Sequence, residues 1–404
     1  MSRAGSSARF ACALVLSLLV SREARALTFE EAMALARERG VAVLRAQVEL
    51  ADARGALVTA GAPLRLEDGV VAQGGPRYTA DGEWIPQVSV GLGQRLELAD
   101  ARGARLDRAR AALDAAEADV EGARRSAEAA VALAFIDALA ARDALARAEA
   151  TRALTDSIAA AMEARARGGD ASAIDVRRLR VAVAQARAEV ESRRADSLRA
   201  DGTLAALLGL APGQRDATAD GTLAALVARP VGDASPPPSV LRLRASIREA
   251  AAERRVGDAM AVPELGIGAL YQYEEGDHMG LLALSFTLPF FDHGQGTRAS
   301  ADARREALER ELDQRSAAIE RERAAARQAH EAHAAALRES ERALTDVAEL
   351  DAMARRSFEA GETSLSELLI IRAELLAAAR AHTVRERDAA AARVALATAL
   401  GAPL

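Results

Sequence analysis

The residue types that could do chemistry are sparse here, and most of them stand alone. Of five histidines, only His330 and His333 are close in sequence, three apart, a spacing that could hold a metal ion from one helix face. No clustered third ligand accompanies them, so a solvated helix face accounts for the pair. His278, His293 and His382 have no neighbour of the same kind. No phosphate-cradling loop, paired metal motif or nucleophile elbow occurs, so the chain is read as no enzyme, with no catalytic residue, metal or cofactor assigned. What recurs is an acid at a fixed distance from a glycine: Asp175 lies six past Gly169, and Glu367 six past Gly361.

The elements that would position these acids are long helices. There is no proline between Pro86 and Pro212, nor between Pro289 and Pro403, and proline is what an uninterrupted helix cannot hold. The first stretch carries apolar residues at three-and-four spacing (Leu106, Ala109, Leu113, Ala116, Val120), the second Leu337, Leu344 and Val347. Helices over 98–166 and 297–358 would run roughly 100 and 90 Å at about 1.5 Å per residue. Each meets a glycine punctuation, Gly168-Gly169 or Gly361, after which a second helix returns; the first return carries the seam Val176, Leu179, Val183, Ala186, Val190. The pattern is a long antiparallel helical hairpin, made twice.

The two copies share an offset of 192 residues, which relates Gly169 to Gly361, Ser172 to Ser364, Asp175 to Glu367, Val176 to Leu368 and Gly209 to Gly401. The sequence therefore divides into a first repeat over 27–212, a proline-rich connection over 213–238 and a second repeat over 239–404. Pro230 and Pro236-Pro237-Pro238 predict an extended connection, ordered where it packs along the helices.

Ahead of each long hairpin lies a pair of strand patterns. Val88, Val90 and Leu92 alternate with Ser89, Gly91 and Gly93; Leu282, Leu284, Phe286 and Leu288 alternate with Ala283, Ser285 and Thr287. Upstream partners are expected at 64–73 and 264–273, giving β-hairpins over about 64–94 and 264–289, with strands long enough to cross a bilayer when tilted. Trp84 and the three tyrosines, Tyr78, Tyr271 and Tyr273, all fall in or beside these hairpins, where such rings suit a lipid-water interface. Four strands cannot close a barrel, so a membrane reading requires further copies of the chain.

Targeting and composition agree with that reading. Residues 1–26 combine Arg3 and Arg9, an apolar run from Phe10 to Val20 and Ala24-Arg25-Ala26, the pattern of a secretory signal peptide. The sole cysteine, Cys12, precedes most of the apolar run, so the mature chain has no thiol chemistry. Removing 1–26 takes away four Arg and one Glu, leaving 49 basic against 58 acidic residues, net -9, a poor surface for nucleic acid. Aromatics make up 3% of the chain, too few for a large globular core, and no later segment has eighteen uncharged apolar residues in a row.

In the order of its parts the mature chain resembles the TolC-like outer-membrane efflux family. The resemblance rests on Leu27-Thr28-Phe29-Glu30-Glu31-Ala32, on Pro63 and Pro263 before the first strand of each pair, and on the tips Arg167-Gly168-Gly169 to Asp175-Val176 and Phe358-Glu359-Ala360-Gly361 to Glu367-Leu368. Residues 288–296 are similar to the segment leading into the second long helix in the heavy-metal branch, where arginine and asparagine often stand in place of His293 and Gly294. The family implies a mainly α fold with a small membrane β-barrel portion, two β-hairpins per chain, and a homotrimeric α/β barrel in the outer membrane whose helices extend into the periplasm. It also implies a passive channel of a tripartite efflux system, with a periplasmic adaptor and an inner-membrane pump of resistance-nodulation-division type as partners. Adaptor docking then falls to Gly169, Asp170, Ser172, Gly361, Glu362 and Ser364, and the periplasmic aperture to Asp175 and Glu367. The position nine past Gly361, an acid in relatives, is Ile370. The competing reading is a periplasmic adaptor or structural coiled-coil stalk, which the two strand pairs disfavour.

Overall fold

A computed structural model describes residues 26–62, 70–96, 98–168, 172–211, 218–360 and 362–404. Most of the expected signal peptide, Pro63, and the tip residues Gly169, Asp170 and Gly361 lie outside the described residues. In chain order the elements are α1 (Phe29–Arg39), α2 (Val41–Ala60), β1 (Val70–Tyr78), β2 (Trp84–Leu96), α3 (Ala101–Arg167), α4 (Ala173–Leu207), α5 (Leu223–Val227), α6 (Pro238–Ala259), β3 (Glu264–Glu274), β4 (Asp277–Thr287), α7 (Gln295–Glu359) and α8 (Leu365–Leu400). At about 1.5 Å per residue, α3 and α7 are each close to 100 Å long. The described chain forms two compact units: one takes residues up to Leu44, Arg124–Ser235 and Arg321–Leu404, the other Arg45–Ala123 and Pro236–Glu320.

The first unit is built around the start of the chain. Thr28 caps α1 reciprocally with Glu31: the Glu31 N–H donates to Thr28 Oγ1 at 3.3 Å, and the Thr28 N–H to Glu31 Oε2 at 3.2 Å. That cap aims Phe29 into the core, where its ring meets Phe135 of α3 edge-on at 5.5 Å, among Leu139, Leu204, Leu223 and Val394. Leu27 forms a parallel bridge with Ala219 of the connection. From Thr218 on, the connection is held by the helices beside it. Leu223 and Leu226 of α5 are buried; Arg142 donates to the carbonyls of Ala219 and Gly221, both at 2.6 Å, and Arg393 to those of Arg229 and Pro230.

The second unit holds the sheet and the helices next to it. Arg242, Arg248 and Arg255 of α6 reach Asp119, Asp114 and Asp107 of α3 at 2.9, 2.8 and 2.7 Å, an antiparallel ladder of ion pairs. The Arg255 hydrogen bond holds the Asp107 carboxyl below its ordinary pKa. The four strands form one antiparallel sheet in the order β1-β2-β3-β4, so the two hairpins expected from sequence pair with each other through β2 and β3.

The first hairpin differs from the sequence expectation. Its opening strand does not stop at Gln73: it continues through Gly74-Gly75-Pro76 to Tyr78, paired from Val70↔Leu92 to Tyr78↔Trp84. Glycine and proline read as loop, yet β1 is an edge strand, where a missing N–H is tolerated, and Pro76 faces Pro86 across the pair. The turn is only residues 79–83. The second hairpin turns on Glu275 and Gly276, with φ of 58° and 93°, the two positive values that a two-residue hairpin turn needs.

Candidate functional site

The sheet has two chemically distinct faces. The register places Val88, Val90 and Leu92 beside Tyr273, Tyr271 and Ala269, and Ile267 beside Leu284, so these residues share a face with Leu282 and Phe286. All the large side chains among them except Tyr273 are exposed. The opposite face is mixed: Gln87, Ser89, Gln272 and Ser285 and two ion pairs, Arg77 with Glu274 near the turns and Arg95 with Glu264 at 3.6 Å near the other end, stand among Val71, Leu270, Met279 and Leu281. A sheet with its charges and amides on one side and its aromatic and large aliphatic residues mainly on the other suits a wall between water and lipid.

The aromatic residues sit at the ends of the apolar face. Tyr78 and Trp84 face each other across the first turn with ring centroids 5.0 Å apart. At the second turn the His278 ring lies tilted 5.2 Å from that of Tyr273, and its Nδ1 is 2.7 Å from the Tyr271 hydroxyl. The sequence reading stopped at tryptophan and tyrosine and so missed the other end. There Phe286, Phe290 and Phe291 are exposed, Phe291 at 93%. A phenylalanine pair directly after a strand-ending proline was the signal available.

At the hairpin tips the structure gives the serines a definite task. Ser172 Oγ accepts from the Ile174 N–H and Ser364 Oγ from the Glu367 N–H, both at 3.2 Å, so each caps the returning helix. Asp175 and Glu367 lie in the first turns of α4 and α8, where a negative charge complements the helix dipole. Glu362 is exposed and accepts from Ser357 Oγ at 3.1 Å. The two tips are brought together: Arg178 donates to Ser366 Oγ at 2.7 Å, and Met162 and Leu179 form a small core with Ile158, Phe358 and Leu369.

The histidines divide differently from the sequence reading. His382, which stood alone in sequence, is buried, with Nδ1 2.7 Å from Ser340 Oγ and Nε2 3.5 Å from Glu386. Among the described residues no three His, Cys, Asp or Glu side chains gather in a metal-holding group, and no helix is long and apolar enough to cross a membrane.

The family model described as "Outer membrane efflux protein" matches residues 32–210. The remainder repeats the matched order of helix, strand pair and long helical hairpin through α6, β3, β4, α7 and α8. The match covers a little under half of the chain. No curated protein matches it. Solved structures with the same fold include the outer membrane protein VceC of Vibrio cholerae, with a TM-score of 0.74, 19% identity and coverage of 93% of this chain and 96% of that one. The CmeC outer membrane channel of Campylobacter jejuni gives 0.76 and 15%, covering 92% and 85%, and CusC gives 0.74 and 17%, covering 92% and 91%. The more apolar face of its sheet is the side suited to lipid.

Proposed function

We propose that this chain is one subunit of an outer-membrane efflux channel, a passive trimeric conduit that carries cargo from the periplasm to the exterior, with its long helices in the periplasm. The observation that carries the reading is the sheet itself: four strands with an apolar face, an opposite face that holds the ion pairs and amides, and two edges, β1 and β4. Unpaired edges cannot face hydrocarbon, and pairing β4 of one copy with β1 of the next satisfies both; three copies give twelve strands. The two repeats, over 27–212 and 239–404, would then alternate around the wall.

A conduit needs an energised partner. The hairpin tips, with Gly169, Asp170, Ser172, Gly361, Glu362 and Ser364, are the proposed contact with a periplasmic adaptor, and through it with an inner-membrane pump of resistance-nodulation-division type. Asp175 and Glu367, repeated by symmetry, are the proposed aperture acids. The resemblance of 288–296 to the heavy-metal branch makes metal ions the cargo to test first.

The membrane fraction, extracted with detergent and run unboiled, should give a trimer band that collapses to monomer on heating; a soluble monomer released without detergent would sink the reading and favour an adaptor or stalk. In planar bilayers the purified trimer should conduct. A deletion strain should become sensitive to metal salts if the cargo reading holds, and to drugs or detergents alone if it does not.

A further inference from the structure

The first unit contains a cavity of about 480 Å³ among the tip halves of α3, α4, α7 and α8. Its lining is apolar on one side, with Ile158, Leu179 and Leu375, and carries Arg355, Arg372 and Arg380 against only Asp351 and Glu189. Both carboxylates are already shared. Asp351 pairs closely with Arg355 and stands 3.8 Å from Arg372, beyond hydrogen-bond distance; Glu189 accepts from Arg193 and Arg380, each at 3.0 Å. Arg372 is thus the least satisfied cation of the cavity. Its side chain is 15% exposed and its Nε is buried with no hydrogen-bond partner. Burial lowers its pKa; Asp351 opposes the shift, and Arg355 adds a smaller push downward.

The duplication supplies an internal control. At the same offset of 192, the first-repeat counterpart of Arg372 is Arg180, whose side chain is 70% exposed and reaches Glu163 at 3.3 Å. One copy keeps its arginine in water with a partner. The other buries it beside an apolar cavity large enough for a drug-sized molecule. A guanidinium left short of hydrogen bonds in such a place is a cost that a bound anion would remove.

We propose that this cavity is a binding site for a small amphipathic anion, its carboxylate or sulfonate held by Arg372 with Arg355 and its apolar body resting on Ile158, Leu179 and Leu375. Pairing with the planar guanidinium fixes the head group, and the apolar lining removes the body from water. The site does not depend on adaptor docking or on the identity of the cargo.

The test uses the full-length protein in lipid nanodiscs, with empty nanodiscs as background, and naphthalene-1-sulfonate as probe. Equilibrium dialysis should show saturable binding of one probe per chain, at least tenfold tighter than for 1-naphthylmethylammonium, which has the same body and the opposite charge. Arg372→Leu should weaken sulfonate binding at least tenfold, and Ala182→Trp, which fills the cavity from α4, should abolish it. Both variants are first checked for wild-type helix content and oligomeric state; if Arg372→Leu fails that check, Ala182→Trp alone decides. Absence of saturable binding, equal binding of the cation, or wild-type binding by a folded variant would overturn the proposal.

Discussion

Single side chains hold this protein's least regular segment in place, and two of them give sharp expectations. Arg393 is 2% exposed and donates to two carbonyls of the connection, Arg229 O at 2.8 Å and Pro230 O at 3.1 Å. Arg393→Met keeps the bulk but removes both hydrogen bonds, one to half-buried Arg229 and one to exposed Pro230, and should cost roughly 1–2 kcal/mol, read as a lowered midpoint of thermal loss of helicity. Asp201 on α4 works in the opposite direction. Burial lifts its pKa above the ordinary 3.8, more than Arg142 lowers it. The native state therefore keeps the proton to a higher pH than the unfolded chain, so stability falls as pH rises from 3.8 through the raised folded value. Asp201→Asn should raise the melting midpoint at neutral pH, and the gain should disappear once the medium is more acidic than 3.8. A gain that persists in acid would show that the titration of Asp201 is not its source.

At the scale of elements, the start of α7 depends on two glycines. Gly294 has φ of 77°, and a Cβ there would stand 2.1 Å from the carbonyl oxygen of Gly257 on α6; a Cβ on Gly257 would meet Arg298 Cγ at 2.9 Å. Gly294→Ala suffers both the left-handed backbone and a clash with a backbone atom that cannot move cheaply, so a loss of about 2 kcal/mol or more is expected in a thermal melt. Gly296→Ala, two residues on, meets nothing within 4 Å and should be nearly silent. The family resemblance had placed asparagine at position 294 in relatives, a residue that tolerates the same backbone region. Why glycine stands here became visible only when α6 and α7 were seen to approach.

For the whole molecule the decisive property is which side of the sheet meets lipid. Leu284 lies on the apolar face and Ser285 on the opposite one, next to each other in sequence. Leu284→Arg should cost about 2–4 kcal/mol if that face is in the bilayer, and the protein should fail to reach the outer membrane as a heat-sensitive oligomer. Ser285→Arg should assemble normally and alter conductance instead. Equal tolerance of both substitutions would remove the membrane wall from the account.

The sequence alone determined what depends on local chemistry. Proline exclusion and apolar spacing marked α3 and α7, the tip glycines marked where each hairpin returns, and strict alternation marked β2 and β4, because each rests on rules that act within a few residues. The 192-residue offset also lay in the sequence, as a comparison of the chain with itself. Only the tertiary structure decided what depends on residues far apart. It carried β1 through Gly74-Gly75-Pro76, since an edge strand tolerates what a central one would not. It joined the hairpins through β2 and β3, and it set the rings of Phe290 and Phe291 out in the open. It also separated Arg180 from Arg372: the two stand at equivalent places in the repeat, and which arginine loses its water was set by the helices packed around it.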